Sequence, residues 1–266
     1  MTKRFFIFTP LAMPSTKAPL ISIITVTYNA ADTIPTTIAS VDSQTFSDYE
    51  HLIIDGKSTD STLDVISNCP SDKRKVLSER DNGIYDAMNK GISIAKGKYL
   101  IFLNSGDRFH SSRTLERIGD TILKNGFPGV IYGQTDIVDN EGNYIAARHL
   151  TAPENLTYKS FAGGMVVCHQ AFIALARLAP LYNLKYRYSA DFDWCIQCLQ
   201  HSRKNVLIPD TLIDYLQEGV TTRNHRASLK ERFRIMSHYY GFLPTLARHL
   251  SFIPRYLKRK RSHLKQ

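Results

Sequence analysis

Three apolar runs in the first 110 residues each stop abruptly at a polar turn, and no other feature narrows the available folds as far. Leu20–Thr27 (LISIITVT) ends at Tyr28-Asn29, His51–Ile54 ends at Asp55-Gly56, and Tyr99–Leu103 ends at Asn104-Ser105-Gly106-Asp107. Unbroken aliphatic and β-branched runs of this length read as strands buried on both faces, as in a parallel sheet. The stretches between them predict helices over Ala31–Gln44, with Asp32 or Thr33 as N-cap and Pro35 in the first turn, and over Thr59–Asn68, capped by Asp60 or Ser61. A short strand, Lys75–Ser78, precedes a third helix over Ile84–Ala95, with Gly97 as its C-terminal stop. Strand and helix alternate, which predicts the α/β class with a right-handed, mostly parallel sheet. Ligands of such sheets bind just past the carboxyl ends of the strands, so the three polar turns contribute to one rim.

Beyond Asp107 the pattern loosens. Arg113–Asn125 reads as a helix, Val130–Tyr132 as a strand, and Asp139–Asn143 as a hairpin turn into Tyr144-Ile145. Met165–Val167 reads as a short strand leading through Cys168-His169-Gln170 into a helix. After the aromatic and basic stretch Tyr182–Tyr188, Ser189 caps a helix over Ala190–His201 that carries Asp191 and Asp193 in its first turn, and Val206–Ile208 is a further strand.

The formal charge of +10 is unevenly spread. Residues 223–266 hold twelve Lys/Arg against one acid, Glu231, whereas the other 222 residues are nearly neutral. The four cysteines suggest no disulfide framework, and the lone Cys195-x-x-Cys198 pair, flanked by Trp194 and Leu199, reads as two core thiols rather than a zinc site. Lys3-Arg4 before Phe5–Phe8 resembles a signal peptide, but Pro10 and Pro14 interrupt it. With no apolar run of membrane-spanning length, the expectation is a cytoplasmic chain.

Four blocks then carry a resemblance: Ser22–Asn29 (SIITVTYN), Ile54–Thr62 (IDGKSTDST), Asp81–Gly91 (DNGIYDAMNKG) and Leu103–Asp107 (LNSGD). Together, in this order and spacing, they resemble the family 2 glycosyltransferases, inverting enzymes with a GT-A fold, and in particular the bacterial branch that builds exopolysaccharide, capsule or O-antigen, including the colanic acid transferases. The resemblance implies a Rossmann-like, mixed, mostly parallel sheet flanked by helices over residues 18–222, split into a nucleotide-sugar half (20–107) and an acceptor half (108–222). It implies donor contacts from Thr27, Tyr28, Asn29 and Asp55, from Asp81, Asn82, Gly83, Asp86, Asn89 and Lys90, and from Asn104, Ser105 and Gly106. Asp107 stands in the place of the family's Asp-x-Asp acid and is the expected ligand of Mg²⁺ or Mn²⁺, carrying the metal almost alone because Asn104 replaces the first acid.

Ser189-Ala190-Asp191 matches the family's later Glu-Asp segment, which makes Asp191 the expected base that takes the acceptor proton, with Asp193 as the competing choice. Only one of the two can face the site, since residues two apart do not share a helical face. The chain departs from the pattern in three places. Asp55-Gly56-Lys57-Ser58 has one acid where many relatives have two, Ala190 replaces the Glu, and Ala87-Met88-Asn89 lacks an Arg that would pair with the diphosphate, leaving Lys90, Arg80 or a tail residue as substitutes. His169-Gln170 is a further candidate for neutralising the diphosphate or ordering the acceptor, against a buried structural histidine.

Residues 223–266 mix apolar and basic side chains, which suits either amphipathic segments lying on an anionic membrane surface, at about 1 kcal/mol per Lys/Arg, or a packing helix with a solvated, disordered basic end. The expected partners are thus a nucleotide-sugar donor, a glycan or lipid-linked glycan acceptor, and a peripheral contact with the inner face of the cytoplasmic membrane. No basic–aromatic recognition motif in the body supports nucleic-acid binding. The alternatives are a nucleotide- or polyanion-binding protein without transfer activity and, more remotely, a nucleotidyltransferase.

Overall fold

The computed structural model describes residues 18–217 and 225–250. The apolar runs form the middle of one sheet. In chain order the parallel half comprises β1 (Ile21–Thr27), α1 (Ile34–Asp42), β2 (Tyr49–Asp55), α2 (Thr62–Ser67), β3 (Arg74–Ser78), α3 (Ile84–Ile94) and β4 (Tyr99–Phe102). There follow β5 (Arg108–Phe109), α4 (Thr114–Lys124), β6 (Val130–Val138), β7 (Tyr144–Ala147), β8 (Phe172–Leu175), α5 (Ala190–His201), β9 (Asn205–Leu216) and α6 (His225–Tyr240). Residues 242–250 are again helical.

The strand order β3-β2-β1-β4-β8-β6-β9-β5, with β7 paired to β6, makes a single mixed sheet. β3, β2, β1 and β4 are mutually parallel, β8 is reversed, and β6 and β9 return to the first direction. Six of the nine described strands therefore run the same way, and the class is α/β with the GT-A arrangement. All seven residues of β1 and of β2 are buried, as expected for strands covered on both faces. One face packs Ile24, Leu52, Leu100 and Phe102 against α3, α5 and α6, and the other packs Ile23, Tyr99 and Ile101 against α1 and α4. Cys195 and Cys198 are free and fully buried in the first of these layers.

Several local expectations need correction. Met165–Val167 is not a strand, and no helix follows Gln170; a 3₁₀ turn at His169–Ala171 leads straight into β8. Phe172–Leu175 is completely buried because it fills the sheet between β4 and β6, a non-local demand that local periodicity does not reveal. β6 and β9 are much longer than Val130–Tyr132 and Val206–Ile208, with register shifts near Gly133 and Pro209-Asp210 that bend both past interruptions in the apolar pattern. Gly97 is not the C-cap of α3, which is Ala95. Its lack of a side chain serves close backbone approach instead, since a Cβ there would lie 2.3 Å from the Ser22 nitrogen. Thr33, Ser61 and Ser189 are N-caps by position, but none caps through its side chain. The signal-like Lys3–Phe8 and the basic stretch 251–266 lie outside the described residues.

Candidate active site

Because β1 and β4 are adjacent and parallel, paired from Ile21↔Tyr99 onward, their following loops open on the same rim. A cleft of about 430 Å³ lies there. Thr27 and Tyr28 after β1, Asn104, Ser105 and Asp107 after β4, and Asp81 and Gly83 before α3 line it. Tyr85, Arg187, Tyr188, Tyr215 and Leu216 complete its lining.

The Asn104–Asp107 turn is pinned from below by α1. Thr37 donates its hydroxyl to the Asp107 carbonyl (2.8 Å) and accepts the Gly106 N–H (2.9 Å), while the Asp107 N–H closes the turn on the Asn104 carbonyl (3.0 Å). Gly106 has φ +96°, a left-handed conformation that glycine adopts without strain, and a Cβ there would strike Leu216 at 2.7 Å. The turn delivers an almost fully buried carboxylate. Asp107 Oδ2 accepts from Gln170 Nε2 (2.6 Å) and Oδ1 from the Leu216 N–H (3.0 Å). Burial pushes its carboxyl up to about 7, although both hydrogen bonds pull the other way. A carboxylate has about four acceptor sites, so two remain for a cation. Asn104 Oδ1, in the same turn, is buried without a hydrogen-bond partner. Two hard oxygen donors, one at a carboxyl that burial disfavours as an anion, fit Mg²⁺ or Mn²⁺. Asn104 Oδ1 is thus a second unpartnered oxygen in the turn where Asp107 was expected to act almost alone. Among the described residues, His110, Asp136 and Asp214 bring ligand atoms within 4.8 Å of one another, but Arg108 already pairs with Asp214 at 2.9 Å. That cluster is an ion-pair network fastening β5 to β9.

Asp191 opens α5 one hydrogen bond behind the cleft. Its Oδ1 accepts from the Tyr85 hydroxyl (3.0 Å) and from the Phe192 N–H (2.9 Å). Burial and the neighbouring Asp191 hold the Tyr85 phenol well above its ordinary range, so it stays a neutral donor. Asp193 turns the other way, taking hydrogen bonds from Tyr239 of α6 (2.8 Å) and from Gln197 (2.8 Å). Of the two acids, only Asp191 is linked to the cleft wall.

The rim thus gathers Thr27, Tyr28, Asp81, Gly83, Asn104, Ser105 and Asp107, whereas other expected residues do not line it. Asp55 has no exposed surface, and its oxygens accept from the Ser58 N–H (3.1 Å) and the Ser78 hydroxyl (2.6 Å). Its carboxylate holds the Gly56–Ser58 loop and is not presented to a ligand. Asp81 is the acid on that side of the cleft; its Oδ2 would lie 2.5 Å from a Cβ at Gly56, and Tyr28 borders the same point at 3.3 Å. Asn29 ties this loop to Thr59 (2.8 Å), Asp86 accepts the Asn82 N–H (2.9 Å), and Asn89 clamps the Tyr182 backbone (2.6 and 3.0 Å). Lys90 is paired with Glu79 at 3.0 Å. His169 is corrected to a structural residue. It stacks on Phe102 (4.9 Å), bonds the Tyr182 hydroxyl (2.5 Å), and burial depresses it to about 4, so it is neutral and cannot offset a diphosphate. Gln170 does serve the site, as the donor that orients Asp107.

Comparison with known proteins fits this geometry. Residues 22–179 match the family model described as Glycosyl transferase family 2. The chain belongs to that family. It is 33% identical over 191 residues to a PGL/p-HBAD biosynthesis glycosyltransferase of Mycobacterium bovis, covering 69% of this chain and 71% of the relative. It is also 33% identical over 143 residues to the putative teichuronic acid biosynthesis glycosyltransferase TuaG of Bacillus subtilis, covering 53% and 56%. Similar folds occur in S. aureus TarS 1-349 in complex with UDP (TM-score 0.66, 18% identity, 87% of this chain and 72% of that one) and in the mannosyltransferase PcManGT of Pyrobaculum calidifontis in complex with GDP-Man and Mn²⁺ (0.59, 13%, 94% and 81%). The glycosyltransferase therefore carries parts of three of its family's blocks, Ser22–Asn29, Asp81–Gly91 and Leu103–Asp107, on the rim of the expected sheet.

Sequence reasoning missed Arg187, Tyr188, Tyr215 and Leu216 as cleft residues of this glycosyltransferase. The stretch Tyr182–Tyr188 was legible as aromatic and basic, which was the available signal for the first two. Tyr215 and Leu216 arrive at the rim only because β9 continues beyond its apolar start, and nothing local announces that.

Proposed function

We propose that this glycosyltransferase is an inverting, metal-dependent enzyme that moves a sugar from a nucleotide-sugar donor to a hydroxyl of a glycan or lipid-linked glycan in cell-surface polysaccharide or glycolipid assembly. The observation that carries this reading is the buried Asp107 carboxylate at the end of β4, sharing one cleft with Asp81 and Tyr28 and facing the Tyr85–Asp191 pair. The nucleoside lies against Tyr28 and Gly56, where Asp81 can accept from a base N–H. Asp107 and Asn104 would hold Mg²⁺ or Mn²⁺, which when bound supplies charge neutralisation to the leaving diphosphate. Asp191, held by Tyr85, accepts the proton as the acceptor oxygen bonds to the anomeric carbon and the carbon–phosphate-oxygen bond breaks, releasing a nucleoside diphosphate with inversion.

The test is nucleoside diphosphate release from a panel of UDP-, GDP- and dTDP-sugars with Mn²⁺. Wild type should turn over at least one donor and Asp107→Ala none. Donor binding without turnover, with Asp191→Asn indistinguishable from wild type, would point to a binding protein, and pyrophosphate release to a nucleotidyltransferase.

The same reading includes a peripheral contact with an anionic membrane. Among the described residues no helix is long and apolar enough to cross one. Within 242–250, however, Thr245 is buried while Phe242, Leu243, Leu246 and Leu250 are exposed at 58%, 73%, 38% and 56%. Their spacing puts these four on one stripe, turned away from the body and directly ahead of Arg255 and Lys258–Arg261 in the sequence. A lipid-linked acceptor gives such a surface a use.

A further inference from the structure

Among the described residues, the cleft is lined by two acids, Asp81 and Asp107, with Asp191 one hydrogen bond behind, and by a single cationic side chain, Arg187. A cleft of that charge repels a diphosphate unless cations offset it, and one metal ion cannot balance both the acids of the cleft and the diphosphate. Of the substitutes suggested by the sequence, neither Lys90 nor Arg80 lines the cleft. Position 88 is a buried methionine, and Lys90 is engaged by Glu79 and by the Arg80 carbonyl.

Arg187 does not reach the cleft by chance of a surface loop. Its N–H donates to Glu231 Oε1 (2.9 Å), and the next N–H, of Tyr188, donates to Oε2 of the same carboxylate (2.8 Å). One residue on, the Ser189 hydroxyl meets Ser228 Oγ at 3.0 Å. Ser228 and Glu231 are three apart on α6 and share a face, so this helix grips three consecutive residues at the entry to α5. Two charge-assisted hydrogen bonds accepted by one carboxylate are a strong latch. Glu231 is the only acid from residue 223 onward, and it is placed on the segment that carries the cleft's cation.

We infer that Arg187 binds the diphosphate of the donor and of the released nucleotide, and that Glu231 is the positioning residue that holds it over the cleft. The inference rests on the transfer reading above. It makes α6, which lies outside the matched family region 22–179, a working part of the donor site.

Binding measurements separate this from the transfer reading. Affinities of UDP, GDP and dTDP, and of uridine, guanosine and thymidine, are measured by calorimetry with Mn²⁺ for wild type, Arg187→Ala, Arg187→Lys, Glu231→Gln and the Arg187→Ala/Glu231→Gln double variant. Arg187→Ala should weaken the preferred nucleoside diphosphate by about tenfold or more, as loss of a charged hydrogen-bond donor implies, and leave the matching nucleoside unchanged. Arg187→Lys should restore part of the loss. Glu231→Gln should weaken the diphosphate by a smaller factor and add nothing in the Arg187→Ala background, because it acts through that side chain. Equal losses for diphosphate and nucleoside, no loss in Arg187→Ala, or additive effects of the two substitutions would overturn the inference while leaving transfer intact. If wild type bound none of the three diphosphates, the transfer reading itself would fall.

Discussion

Asp107 should make the metal-free enzyme lose stability as pH rises, the opposite of the usual behaviour of a carboxylate. Its carboxyl is raised from 3.8 to about 7 because the group is buried, and the hydrogen bonds from the Leu216 N–H and Gln170 offset this only in part. The folded state therefore retains a proton that the unfolded chain has released. Between about pH 4 and 7 the native state binds more protons, so stability falls across that window and is flat above it. About three pH units at roughly 1.4 kcal/mol each give a ceiling near 4 kcal/mol. His51 and His169 titrate in the other sense, held neutral by burial down to about 3 and 4, so raw stability profiles mix the effects. The difference between wild type and Asp107→Asn removes them. The assay is urea unfolding of both proteins in EDTA at pH 5, 6, 7 and 8. The variant carries a fixed cost, because its amide meets the Gln170 amide donor-to-donor, but that cost does not vary with pH. Relative to the variant, wild type should lose about 1 kcal/mol per unit from pH 5 to 7 and little more by pH 8. Adding Mn²⁺ at pH 8 should then stabilise wild type and not Asp107→Asn, since only the former binds a ligand in its native state. A difference that stays constant from pH 5 to 8 refutes the account of Asp107 as a carboxylate destabilised by burial.

Three further outcomes follow from the geometry. Asp191→Asn should lower kcat of donor transfer by about 10²–10⁴-fold, the usual worth of a general base, while Tyr85→Phe, which leaves Asp191 in place without its 3.0 Å partner, should cost much less; steady-state kinetics with the preferred donor decide it. Gly97→Ala should destabilise the fold by about 3 kcal/mol in urea unfolding without altering nucleotide affinity in the surviving native protein, because the added Cβ meets the Ser22 nitrogen at 2.3 Å and the Ile21 carbonyl carbon at 2.6 Å. Wild type should sediment with vesicles of phosphatidylcholine and phosphatidylglycerol but not of phosphatidylcholine alone, and Leu243→Asp/Leu246→Asp should reduce that binding about tenfold or more while donor hydrolysis in solution is retained; a variant that binds the vesicles normally would refute the membrane contact.

The parts of the site that were legible in the sequence are those whose cause is local. β1 and β4 are fixed by their own apolar runs, and their parallel pairing brings Thr27, Tyr28 and the Asn104–Asp107 turn to one edge whatever the rest of the chain does. β8 was illegible for the complementary reason. Phe172–Leu175 is a strand because the sheet needs an antiparallel member between β4 and β6, and four apolar residues after a polar turn suit a helix start equally well. Asp55 shows a third case. Its position at the end of β2 was right, but Ser58 and Ser78 turn the carboxylate inward, so its place in the motif did not fix its role.

The chemical state of Asp107 belongs to neither category alone. The turn that carries Asp107 is local, yet the hydrogen bonds that orient its carboxylate come from Gln170, 63 residues on, and from Leu216, 109 residues on. Leu216 reaches it because β9 runs past the rim, and the chain at Arg187, which also lines the cleft, is gripped by α6. Three of the four blocks therefore supply most of the rim of the cleft, while residues beyond them set how readily Asp107 ionises. Substitutions at Gln170 and Glu231 should accordingly change the metal and nucleotide dependence of the enzyme while every residue of the four blocks remains in place.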